Sequence, residues 1–125
     1  MIKLFEFVYS QLDNFGSDVF DKTPPPKTPY PFIQYRVDEP YRNSNPNLYM
    51  LTVDIWDRND STYRLENLAK EVDDALEELL YTDECLSAKF KRQSRLRVED
   101  IDDGIKRRQL TYQIRVFDIC EGEII

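Results

Sequence analysis

The densest set of oxygen ligands in this sequence is Glu99-Asp100-Ile101-Asp102-Asp103-Gly104. Four carboxylates in five residues could hold a hard divalent cation, but their spacing is not that of a calcium-binding loop. A solvated turn accounts for them, so no metal is expected. There is no histidine anywhere in the chain, which removes the commonest general base and the commonest metal ligand. No glycine-rich phosphate loop and no nucleophile elbow occur. The two cysteines, Cys85 and Cys120, are far apart and show no CxxC spacing. They read as two reduced thiols of a cytosolic protein, or alternatively as one bridge. The run Lys89 to Arg97, with Phe90 inside it, is the one stretch that could touch nucleic acid, yet a net charge of −7 argues against a sequence reader. Neither a cofactor nor an enzyme activity is expected from this inventory.

Charge is more informative by position. Asp57 to Glu84 holds ten acidic and three basic residues, whereas Lys89, Lys91, Arg92, Arg95 and Arg97 follow without an acid between them. Glu77, Glu78, Asp83 and Glu84 fall at or past the end of a helical segment, where the helix dipole disfavours acids. Asp73–Glu77 and Asp74–Glu78 are like-charged pairs four apart. Such a surface calls for cations. We therefore expect Arg92, Arg95, Arg97, Arg107 and Arg108 to meet the acidic surface around Asp74, Glu77 and Glu78, within one subunit or between two. A subunit with an acidic side and a basic side suits head-to-tail association, which closes into a ring when the rotation permits.

The elements that would position these groups centre on Leu48 to Leu80. Tyr49, Leu51, Val53 and Ile55 alternate along a strand, and Trp56 closes its mixed opposite face as a partly buried anchor or an interface residue. Leu65, Leu68, Ala69, Val72, Leu76 and Leu79 then form a helical stripe, with Asp60 or Ser61 placed to cap it. Upstream, Met1, Leu4, Phe5, Val8, Leu12 and Phe15 follow a helical period that stops near Asn14 and Gly16. Val19 and Phe20 suggest a short strand, TPPPKTPYP an extended connector, and Phe32 to Val37 another strand. Asp38 to Asn47 is rich in turn formers and reads as a long projecting loop, with Tyr41, Arg42, Asn43 and Asn45 as candidate docking residues. Lys89–Ile101 and Ile105–Ile119 form a closing hairpin. A three-residue loop with a left-handed Gly104 would set Leu96 opposite Leu110, Glu99 opposite Arg107 and Ile101 opposite Ile105. The whole, residues 1–125, is expected to be one α+β domain: an antiparallel sheet of about four strands with the amphipathic helix 62–80 and an N-terminal helix packed on it.

No run is long enough to span a bilayer, and MIKLFEF lacks the features of a secretion signal, so the chain is expected in the cytoplasm where it is made. The order of its segments carries a resemblance. An N-terminal helix, then VFDKTPPPKTPYPFIQY, then LTVDIWDRNDSTYRLENLAKEVDDAL, then RVEDIDDGIKRRQLTYQIRVF resembles the tail terminator (tail completion) family of long-tailed bacteriophages over almost the whole chain. Pro29-Tyr30-Pro31 before a strand, Val53-Asp54-Ile55-Trp56 before a polar turn and helix, and Gly104 before Leu110 to Phe117 carry it. The resemblance implies an α+β subunit of a six-membered ring, located in the virion at the head–tail junction after assembly in the host cytoplasm. Such a ring caps the tube of major tail protein, ends its polymerisation, meets the head connector protein and lets DNA pass through its lumen. It implies no catalytic residue, cofactor or membrane. Another neck protein, such as a head-closure or connector component, and a monomeric adaptor for a peptide or small ligand are the alternative readings.

Overall fold

The computed structural model describes residues 2–41, 47–59, 61–98 and 104–118. The apolar period at the N-terminus produces helix α1 (Ile2–Leu12), followed by a single 3-10 turn whose end is turned by Gly16 at φ 76°. Strand β1 (Asp18–Phe20) comes next, then the proline-rich connector, in which Thr28 Oγ1 donates to the Pro25 carbonyl and the Tyr30–Pro31 peptide is cis. Strands β2 (Phe32–Tyr41) and β3 (Asn47–Arg58) precede helix α2 (Tyr63–Leu76). The chain closes with β4 (Leu80–Thr82), β5 (Leu86–Val98) and β6 (Ile105–Asp118).

These strands form one six-stranded sheet in the order β1-β2-β3-β6-β5-β4. β1 runs parallel to β2, and every other neighbouring pair is antiparallel. The sheet curls into a half-barrel. This overturns the expected α+β class with its antiparallel sheet of about four strands carrying helix 62–80 and an N-terminal helix. The protein is predominantly β, the sheet is mixed, and only two helices occur among the described residues. The reason is local. β1 and β4 are three residues each, too short to show alternation, and β4 lies in a stretch that reads as helix end and turn. The turn-rich residues Asp38 to Tyr41 continue β2, with an irregularity between Asp38 and Tyr41, instead of opening a loop. Arg42, Asn43 and Asn45 of the expected docking loop lie outside the described residues.

One face of the sheet is apolar. Ile33, Tyr49, Leu51, Val53, Ile55, Phe90, Leu110, Tyr112, Ile114 and Val116 join Leu4, Val8 and Leu12 of α1 and the stripe of α2 in one buried cluster. We call this the inner face. At the start of α2, Ser61 Oγ accepts from the Tyr63 amide at 3.1 Å, while Asp60 lies outside the described residues.

The closing hairpin is shifted from the expected register. Leu96 lies opposite Gln109, Arg95 opposite Leu110 and Val98 opposite Arg107. A bulge between Arg92 and Ser94 inserts one residue into β5 and reverses the alternation beyond it. Phe90 and Arg92 point inward before the bulge, Arg95 and Arg97 after it, and Leu96 is turned outward and is exposed. Glu99 and Ile101 lie outside the described residues.

Candidate functional site

The acidic helix α2 and the basic strands β5 and β6 meet inside the subunit, through Asp73, Glu66 and the expected Glu77 and not through Asp74 or Glu78. Asp73 occupies the buried stripe of α2, four residues after Ala69 and one after Val72. Its carboxylate accepts from the Tyr112 hydroxyl at 2.6 Å and from Arg92 Nη1 at 2.6 Å. The regular alternation of β5 through Ala88 and Phe90 places Arg92 opposite Tyr112, and its backbone amide donates to Glu77 Oε2 at 2.8 Å. Burial, and then the bond to Asp73, push the Tyr112 phenol far above its ordinary pKa, so it remains a donor throughout the usual pH range.

Three further ion pairs tie α2 to the sheet. Glu66 receives Arg108 Nε in a short hydrogen bond and Arg95 Nη2 at 3.2 Å. Arg108 is only 4% exposed, and its Nη2 has no hydrogen-bond partner among the described residues. Asp57, at 1% exposure, accepts from Arg64 Nε at 3.0 Å and from the Arg58 amide at 2.8 Å. A buried carboxylate with several donors is compensated, whereas one stripped of them is strongly destabilising.

The remaining predicted residues go elsewhere. Asp74 pairs with Lys70 at 2.9 Å along the helix surface. Glu78 follows the helix end with φ 60°, and it is exposed. Arg97 is exposed on β5 without an ion pair among the described residues. Arg107 lies on the outer face of the sheet, with its guanidinium 4.5 Å from the Trp56 ring centroid and Nη1 3.9 Å from Asp54. Trp56 in turn stacks on Phe32 with centroids 6.1 Å apart, and Phe20 and Tyr30 complete this aromatic cluster. Asp73 and Glu66 are the residues that sequence reasoning missed. The available signal was Asp73's place within the apolar stripe, because an acid there requires a buried donor.

Cys85 is disulfide-bonded, which corrects the reading of two reduced thiols; the other cysteine, Cys120, lies outside the described residues. Just before β5, Asp83 accepts from the Tyr81 hydroxyl at 2.7 Å and from the amides of Cys85 and Leu86, each at 2.8 Å. These bonds, the tyrosine's foremost, hold its carboxyl below the usual carboxylate range. Among the described residues no group of three or more acidic or cysteine side chains is arranged to hold a metal, and no helix is long and apolar enough to cross a membrane. The carboxylates at 99–103 lie outside the described residues. An open groove of about 550 Å³ lies beside α2, lined by Phe15, Pro31, Tyr63, Asn67, Leu68 and Glu71 among others. Its charged lining residues, Arg64 and Glu71, both come from α2, and it is an open surface groove.

No protein-family model matches the sequence, and no curated protein matches it. The solved structures do contain a similar chain, from the "Virion of native gene transfer agent (GTA) particle". It is 17% identical, with a TM-score of 0.70, and the match covers 88% of this chain and 91% of that one. The two chains share a fold.

Proposed function

We propose that this chain is a virion structural subunit, and that it acts as a tail terminator. In this reading, copies close into a ring, six-membered by the resemblance, that sits on the last layer of the tail tube. The ring stops further addition of the major tail protein and presents its other side to the head connector protein, with DNA passing through the lumen. The observation that carries the reading is the fold shared, over nearly the whole of both chains, with a component of a gene transfer agent virion. It agrees with the segment order that resembles the terminator family. The net charge of −7 fits the same role, because an acidic lumen repels phosphate and lets DNA slide. The arrangement of buried ion pairs is structural in this account, and no residue is assigned to catalysis.

Electron microscopy of the purified protein mixed with tail tubes tests this. The expected result is a single ring at one end of each tube, with tube growth halted there. Tubes that continue to lengthen, or protein decorating their sides, would exclude a terminating role. A ring found instead on the connector with no affinity for tubes would move the assignment to another neck component.

A further inference from the structure

The expected interface cations are largely engaged within the subunit: Arg92 with Asp73, Arg95 and Arg108 with Glu66, and Arg107 with Trp56. Another set is not. On the outer face, Lys89 of β5 stands directly opposite Arg115 of β6, and Lys91 follows two residues along the same face. Directly opposed like charges are destabilising in a sheet. All three are exposed, and among the described residues none has an acidic partner.

Apolar side chains flank this cationic trio. Leu80 lies opposite Lys89 on β4, Phe117 is two residues beyond Arg115, and Leu96 lies farther along β5. They are 61%, 43% and 51% exposed, three of the six large hydrophobic side chains that stand exposed among the described residues. Both helices send their apolar stripes to the inner face, and among the described residues no helix covers the outer face of β4-β5-β6. Exposed apolar anchors around unpaired charge are the composition of a protein interface.

The complementary surface is on the same molecule, on the other side. Glu71 and Asp74, three apart, share the solvent side of α2, and exposed Glu78 follows just past its end. Lys70 pairs with Asp74 among them. We propose that the outer face of β4-β5-β6, through Lys89, Lys91 and Arg115 with Leu80 and Phe117, docks onto the acidic surface of α2 (Glu71, Asp74, Glu78) of a second copy of this chain. Because the two surfaces lie on opposite sides of the subunit, the contact is head-to-tail and repeats from copy to copy. Duplex DNA is the other anionic occupant to weigh. Three cations beside exposed leucine and phenylalanine, in a chain of net charge −7, fit a carboxylate-bearing protein surface better than a phosphate backbone.

This inference rests on the ring reading above, and a charge-swap experiment separates the two. One variant carries Lys89→Glu with Arg115→Glu; the other carries Glu71→Lys with Glu78→Lys. Sedimentation velocity follows association with rising concentration, and far-UV circular dichroism checks the fold. Each variant alone should associate at least tenfold more weakly than the wild type. An equimolar mixture should recover association, because each reversed surface then finds its opposite on the other variant. Should either reversal fail to fold, Lys89→Gln with Arg115→Gln is used, with a smaller loss expected. Variants that associate like the wild type, or a mixture that does not recover, overturn the surface and leave the ring standing. Duplex DNA retarded by the wild type and released by the Lys89/Arg115 reversal overturns it in favour of nucleic acid. A wild type that remains monomeric in solution and on tail tubes overturns the ring and this contact together.

Discussion

At the scale of single residues, the carboxylate of Asp73 does most to define the subunit. It is held by one neutral and one charged donor at the seam between α2 and the sheet. Asp73→Ala is expected to cost about 3 kcal/mol, since it leaves a buried hydroxyl and a part-buried guanidinium unpaired. Tyr112→Phe should cost about 1 kcal/mol, because Arg92 still satisfies the acid. Urea unfolding of both variants, and of the double variant, measures the coupling. The raised Tyr112 pKa fixes the sign of a pH effect. Its contribution is complete below the unfolded phenol's value of about 10 and is lost as pH rises toward the higher folded value, so stability should fall in alkali. Tyr112→Phe should flatten that decline, and an unaltered alkaline slope would assign it to other groups. Glu78 makes the opposite case. A non-glycine residue at φ 60° is strained, and Glu78→Gly should raise stability by about 1 kcal/mol. The same substitution removes one of the acids proposed to receive a neighbouring subunit.

Elements explain what the sequence revealed and what it concealed. Leu4, Val8 and Leu12 announced α1 through their period, and Leu65 to Leu76 announced α2, because burial on one side leaves a 3.6-residue trace. β3 was equally plain from Tyr49 to Ile55, where a single apolar face alternates without interruption. The six-stranded mixed sheet was not legible. β1 and β4 are shorter than one clear alternation, and their membership is decided by distant pairing with β2 and β5. The bulge after Arg92 was concealed for a related reason: one inserted residue turns Leu96 outward while leaving composition unchanged. That single shift also turns Arg95 inward to Glu66, a pairing the basic run alone did not reveal. Among these elements the β4–β5 turn depends most on one side chain. Asp83→Ala should release the amides of Cys85 and Leu86, and their hydrogen exchange should accelerate while that of the central strands stays slow. Because the Asp83 pKa is lowered in the folded state, the stability it lends is present above the unfolded value, near 4, and fades as pH falls through the lower folded value. Acid should therefore loosen the wild-type turn, and Asp83→Ala should lack that response.

At the scale of the molecule, the separation of charge is the property with consequences. Most of the described ion pairs join α2 to the sheet, while Lys89, Lys91 and Arg115, without an acidic partner among the described residues, share the outer face. Partly buried pairs are screened weakly by salt, whereas exposed surfaces that attract across an interface are screened strongly. Raising sodium chloride from about 0.05 to about 0.5 M is thus expected to weaken association several-fold in sedimentation while leaving the urea midpoint of the subunit nearly constant. Parallel losses of both would mean that assembly and folding draw on the same contacts.

With cohesion concentrated on the helix-bearing side of the sheet, the outer side of β4-β5-β6 is released from the packing rules that constrain the interior. A lineage can rewrite which neighbours that surface recognises without disturbing how the chain folds. A scaffold divided in this way can keep its shape while its partners change.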